Sequence, residues 1–145
     1  IVAGAGPERA KLEALAGPSV RFVGRVDDAE VVRLMRGCRA FIHPQIEDFG
    51  IAAVEAQAAG RPVIAFGVGG AKETVREGET GLFFPEQTVT ALAKTLDDFE
   101  RGGRGFSPEA CRTQAEHFAT PRFRLEIEGF LRERGLWPEA RSVDP

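Results

Sequence analysis

Ala40-Phe41-Ile42-His43-Pro44-Gln45-Ile46-Glu47-Asp48-Phe49-Gly50-Ile51-Ala52-Ala53-Val54-Glu55-Ala56-Gln57-Ala58-Ala59-Gly60-Arg61-Pro62-Val63-Ile64-Ala65-Phe66 is the stretch that decides the fold. Ala40 to Ile42 is a short apolar run stopped at His43-Pro44, which reads as a strand. A loop through Phe49-Gly50 leads into an alanine-rich segment, Ile51 to Ala59. That segment reads as a helix with Gly60 as its C-cap. Pro62 to Phe66 is the next strand, with proline at its first position, where it is tolerated. Strand, helix, strand, with the strands nearly all apolar, predicts parallel pairing in a sheet covered on both faces.

The same rhythm extends both ways. Upstream, Ile1 to Ala3 predicts a strand ended by Gly4-Ala5-Gly6-Pro7, with Pro7 as the first residue of a helix over Glu8 to Ala16 whose apolar face is Leu12, Leu15 and Ala16. Val20 to Val23 predicts a strand. Asp27-Asp28 caps a helix with the face Val31, Val32, Leu34 and Met35, ended by Gly37. Downstream, Gly67-Val68-Gly69-Gly70 opens a short helix over 71–75, and Leu82 to Phe84 is a fifth strand. The last third is helical: Thr88 or Thr90 starts a stripe of Val89, Leu92, Ala93, Leu96 and Phe99. Ser107-Pro108 and Thr120-Pro121 are both cap-then-proline starts, and Arg101 to Gly105 is a flexible loop between helices. The final helix carries Phe123, Ile127, Phe130 and Leu131. The expected fold is α/β, a doubly wound parallel sheet with right-handed crossovers, in which residues 1–119 form the domain and 120–145 a C-terminal helix and tail.

Composition sets the outer limits. With 145 residues, 43% hydrophobic and 28% charged, the chain has ordinary globular usage and is not a disordered or low-complexity one. No apolar run approaches the ~18 residues of a membrane span. A net charge of −3 argues against a partner held by nucleic-acid backbone electrostatics. Cys38 and Cys111 lack metal-ligand spacing and read as reduced thiols. The chain begins inside an apolar run, without methionine, so upstream sequence is expected.

In doubly wound sheets, ligands bind beyond the carboxyl ends of the strands. Four loops then become candidates: Gly4 to Pro7, Gly24 to Asp28, His43 to Gly50, and Gly67 to Gly70. The third is the most informative. Glu47 lies on the loop, and Glu55 about one turn inside the helix. Gly50 lets a ligand approach the backbone. The amides of Gly50, Ile51 and Ala52 form a helix N-terminus able to hold an anion. A carboxylate accepts two hydroxyl hydrogen bonds, which suits a sugar diol. Together these residues point to a phosphorylated sugar. A glutamate early in a helix also interacts well with the helix dipole without any ligand. His43, before Pro44, reads as an ordinary hydrogen-bonded histidine, His117 as a helix residue and Lys72 as a solvated cation.

Glu47-x7-Glu55 with Phe49-Gly50, then Glu55-Ala56-x-Ala58-x-Gly60-x-Pro62-Val63-Ile64-Ala65, then Gly69-Gly70-x-x-Glu73 and Gly78-x-x-Gly81, resembles the C-terminal domain of family-four retaining glycosyltransferases. These enzymes have the GT-B architecture of two Rossmann-like domains. Arg21 to Val26 and Ala3 to Glu8 fit the same pattern. The wording Glu-Asp-Phe-Gly-Ile looks most like bacterial mannosyltransferases of O-antigen or exopolysaccharide assembly, which use GDP-mannose.

The resemblance implies roles residue by residue. Glu47 binds hydroxyls of the donor sugar and Glu55 the nucleotide ribose, the two carboxylates of the catalytic machinery. The amides of Phe49, Gly50 and Ile51 hold the distal phosphate. Backbone near Arg25 and Val26 contacts the base, and Gly4 and Gly6, with Gly69 and Gly70, line the crevice. The leaving diphosphate takes the acceptor proton, so neither a metal nor a cofactor is expected. The partners implied are a nucleotide-diphosphate sugar, a glycan or lipid-linked acceptor and an N-terminal domain of the same enzyme. The location implied is the cytoplasm, with peripheral association at the inner face of the membrane allowed. The family's diphosphate-clamping Arg and Lys match no position in this chain. The alternatives are a nucleotide-binding or assembly module without catalysis, a nucleotide-sugar 2-epimerase-like domain, and a nicotinamide-binding protein. The last is disfavoured because Gly4-x-Gly6 is followed by Arg9 where the fingerprint needs glycine.

Overall fold

The computed structural model describes residues 1–102 and 105–137. Gly103 and Arg104 of the expected 101–105 loop, and the tail beyond Trp137, lie outside the described residues. The chain divides into two compact units, Ile1–Cys38 and Arg39–Pro145. Residue 119, the expected boundary before a C-terminal helix, immediately precedes the helix that starts at Thr120.

In the first unit, β1 (Val2–Ala3) pairs in parallel with β2 (Phe22–Gly24), and α1 (Arg9–Leu15) and α2 (Asp28–Gly37) follow the strands. Asp27 caps α2, its carboxylate accepting from the Glu30 amide at 2.8 Å. Glu30 is ion-paired with Arg33, which holds its carboxyl below the usual range. Pro7 precedes the N-cap Glu8, so it is not the first helical residue. The expected apolar face of α1 is open: Leu15 is 76% exposed.

The second unit holds the core. β3 (Phe41–His43), β4 (Val63–Phe66) and β5 (Gly81–Phe84) form a parallel sheet in the order β3-β4-β5. The register sets Phe41 beside Val63, and Ile64 beside Leu82. Every residue of the central strand β4 is buried, as its unbroken apolar run requires. Strand pairing is thus parallel throughout, but in ladders of two and three strands rather than one continuous sheet. Glycine is needed at Gly81 because a Cβ there would overlap the Val63 carbonyl.

One face of this sheet is covered by α5 (Val89–Arg101): Ile64, Phe66 and Phe84 pack with Leu92, Leu96 and Phe99. Phe66 and Phe84 stack at 5.5 Å. Thr88 caps α5, accepting from the Ala91 amide at 3.2 Å. On α3 (Ile51–Ala58) the small residues Ala53 and Ala56 are fully buried, and α6 (Pro108–Glu116) packs on that helix. Burial pushes the Cys111 thiol of α6 up from its ordinary value. Ser107 caps α6 through the Ala110 amide.

Gly60 stands just past the helix end, with φ +79°, and Ala59 takes the C-cap. Gly60 N–H donates to Gln57 O at 2.8 Å and Arg61 N–H to Ala56 O at 2.9 Å, the two bonds of a Schellman ending. A four-residue helix, α4 (Ala71–Thr74), precedes β5. The last helix is α7 (Thr120–Glu133). Its N-cap is Ala119 with no side-chain cap bond, so Thr120 is a helical residue rather than the expected cap. No residue of α7 is buried, and Phe123 is 64% exposed. No helix among the described residues is long and apolar enough to cross a membrane.

Candidate functional site

The candidate site grows out of the β3–α3 connection, at the carboxyl end of β3. Gly50 is the N-cap of α3 and adopts φ +78°, a left-handed conformation that favours glycine. The amides of Gly50, Ile51 and Ala52 precede the first intrahelical bond, which Ala53 and Val54 donate to Gly50 O at 2.9 and 3.4 Å. No side chain caps this end. That is unlike α2, α5 and α6, whose first amides are met by Asp27, Thr88 and Ser107. Ile51 is 65% exposed while Gly50 is buried, and this helix end carries the positive pole of the dipole.

The two carboxylates belong to this segment. Glu47 is exposed on the loop, and its Oε1 accepts from Gln45 Nε2 at 3.0 Å. Its Oε2 lies 3.8 Å from the point where a Cβ on Gly50 would stand. Glu55 is exposed on the second turn of α3. Glu47, Phe49, Gly50, Ile51 and Glu55 are therefore brought onto one loop-and-helix unit. The Phe49 ring packs edge-on against Phe118 at 5.5 Å, which anchors the loop.

Gly69 and Gly70 meet the same loop from the β4–α4 side. Gly70 N–H donates to Glu47 O at 2.8 Å. A Cβ on Gly69 would stand 2.7 Å from Glu47 O, and one on Gly70 would overlap Asp48 O. Their small size is thus required by backbone packed on backbone. Lys72 is exposed. Gly4, Gly6, Arg25 and Val26 lie in the first unit, on the loops after β1 and β2. Gly4 N–H donates to Gly24 O at 2.7 Å, and Gly24 is left-handed at φ +72°.

His43 departs from expectation. It is 1% exposed, and neither ring nitrogen has a hydrogen-bond partner among the described residues. Its Nε2 lies 3.2 Å from the Cβ position of Gly50, so the ring is the floor under the helix N-cap. A side chain at position 50 would strike it, a constraint on Gly50 beyond its backbone angles. His117 is a helix-end residue, as read, with Nδ1 2.9 Å from Thr113 O. Sequence reasoning also passed over Gln57, Thr74 and Gln114, three buried polar residues joined by hydrogen bonds behind the site. For Gln57 the signal was a polar letter in the alanine-rich α3.

The family model described as Glycosyl transferases group 1 matches residues 1–118. The phosphatidyl-myo-inositol mannosyltransferase of Mycobacterium leprae is 39% identical over 101 residues, 66% of this chain and 27% of that protein. The D-inositol 3-phosphate glycosyltransferase of Corynebacterium efficiens is 34% identical over 130 residues, 79% of this chain and 31% of that protein. Sucrose-phosphate synthase from Thermosynechococcus elongatus superposes with a TM-score of 0.78 at 30% identity, over 90% of this chain and 35% of that one. The chain thus spans about a quarter to a third of the length of these three proteins. Its Rossmann-like α/β fold with parallel sheets matches GT-B glycosyltransferase structures. This chain belongs to the group 1 glycosyl transferases and has the fold of their C-terminal domain.

Proposed function

We propose that this chain binds the nucleotide-diphosphate sugar donor of a retaining, family-four hexosyltransferase that glycosylates a glycan or lipid-linked acceptor. The observation that carries the reading is the uncapped N-terminus of α3, opened by left-handed Gly50 and flanked by Glu47 and Glu55. Helix-end amides complement a diphosphate, and acceptor-only carboxylates complement sugar and ribose hydroxyls. Holding the departing diphosphate is mainly an electrostatic task. The leaving group itself takes the acceptor proton, and the proposal assigns no metal or cofactor. An N-terminal domain of the same protein supplies acceptor contacts and the basic clamp. The full enzyme works in the cytoplasm, with room for peripheral attachment to the membrane.

For the donor, GDP-mannose is our first choice, on the Glu-Asp-Phe-Gly-Ile wording and the mannosyltransferase relative. A UDP-sugar is the second reading, because Anabaena HepE, crystallised with UDP and glucose, superposes with a TM-score of 0.59 at 25% identity. Calorimetric titration of the full natural protein with GDP, UDP, ADP, GDP-mannose and UDP-glucose tests both. We expect binding of one nucleotide and a loss of roughly tenfold or more for Glu55→Ala, the effect of losing hydrogen bonds to a charged group. A folded sample that binds none of them overturns the donor-site reading. A clear preference for UDP-glucose overturns the mannose choice alone.

A further inference from the structure

Gln57 and Gln114 converge on a single atom. Gln57, on the inner face of α3, is fully buried, and Gln114, on the inner face of α6, is 5% exposed. Gln57 Nε2 donates to Thr74 O at 3.0 Å, and Gln114 Nε2 donates to the same oxygen at 3.2 Å. Gln57 Nε2 also reaches Ala53 O at 3.2 Å. The Oε1 atoms of both amides are buried without a partner among the described residues. An orphaned buried acceptor destabilises a fold, and an apolar side chain of similar length would remove it. Stability alone therefore does not explain why amides stand here.

Their target does. Thr74 ends α4, and its carbonyl is the one both amides hold. At the other end of α4, Gly70 N–H donates to Glu47 O at 2.8 Å, while Gly70 O accepts from Thr74 N at 3.0 Å and from Thr74 Oγ1 at 3.1 Å. A helix of four residues has no stability of its own, so its position is set by what pins its ends. One end of α4 is pinned by the two glutamines, the other to the loop that carries Glu47.

We infer that Gln57 and Gln114 are positioning residues for the donor loop: through α4 they fix the backbone of Glu47-Asp48-Phe49 against Gly69-Gly70. This rests on the reading of that loop as the donor site. It gives α6 a task, since α6 supplies one of the two pins. Neither glutamine touches the ligand in this scheme.

Gln114→Met in the full natural protein tests it, because Gln57 still satisfies Thr74 O and one orphaned acceptor disappears. The expected result has three parts. The melting midpoint stays within about 4 °C of the parent. Amide hydrogen exchange quickens at Gly70 and in the 46–50 loop. Affinity for the nucleotide found in the titration above falls roughly five- to tenfold, the equivalent of one hydrogen bond. Gln114→Glu, measured beside the parent at pH 5, keeps one donor when its buried carboxyl is protonated, and so recovers most of that affinity. Unchanged affinity and unchanged exchange in Gln114→Met overturn the inference, as does a loss matched in Gln114→Glu. Failure of the parent to bind any nucleotide condemns the donor-site reading instead, while the exchange measurement still judges the pins.

Discussion

At the residue scale, glycine does two different jobs here. Gly70 is packed so closely that an added Cβ would stand 2.6 Å from Phe49 Cα, with backbone as the obstacle. Gly37, at the end of α2, has nothing within 4 Å of its Cβ position and no positive φ. Gly70→Ala is expected to destabilise by about 1–3 kcal/mol, as overpacking does, and to weaken nucleotide binding by displacing Glu47. Gly37→Ala is expected to stabilise by about 0.4–1 kcal/mol, by restricting the unfolded chain. Urea unfolding of the two variants checks the pair; equal effects of the same sign would contradict it. Both glycines were visible as letters, and Gly50 was legible as a helix start. What the letters did not show was that position 50 faces His43. That ring is held by packing across a loop, and its unmet nitrogens depend on three-dimensional neighbours that no spacing rule encodes.

At the element scale, local signals were read well and partners poorly. Asp27, Thr88 and Ser107 each accept from the amide three residues on, because a cap is decided within one turn of chain. The crossover 40–66 was legible for a similar reason: an all-apolar strand such as β4 must be buried on both faces. Thr120 carries the same cap-then-proline pattern as Ser107, yet Ala119 holds the cap position and no side chain meets the amides. Thr88→Ala is accordingly expected to cost about 1 kcal/mol, and Thr120→Ala only a few tenths. Guanidinium melts of the two variants decide this, and a larger loss at Thr120 would count against the helix start assigned here. The apolar stripes expected on α1 and α7 bury no residue, and Ala16 falls at the C-cap outside α1. Periodicity reports that a face exists and not what covers it, and Leu15 and Phe123 remain largely exposed.

At the scale of the whole molecule, length counts how many residues a core could hold, not where buried side chains fall. The length is that of one domain, and the chain divides into two compact units after Cys38. They differ in what holds each together. In Ile1–Cys38, helices α1 and α2 contribute no buried residue, and β1 has two residues, both exposed. In the second unit, β4 is buried throughout and Ala53, Ala56, Val63, Ala65 and Cys111 are all at 0% exposure. Burial of apolar area is the main favourable term in folding, so local opening should be far less costly in the first unit. In the 145-residue chain, the amides of Val2, Ala3 and Phe22 to Gly24 are expected to exchange at least about tenfold faster than those of Val63 to Phe66, the ratio for a difference of about 1.4 kcal/mol in opening free energy. Caps and surface ion pairs do not reverse this order: Arg9–Glu13, at 2.8 Å, is roughly two-fifths exposed on both sides, and such pairs contribute about 0–1 kcal/mol. Hydrogen exchange followed by mass spectrometry resolves the two segments. Equal protection of residues 1–38 and of β4 would show that the first unit draws its stability from something other than its own buried surface.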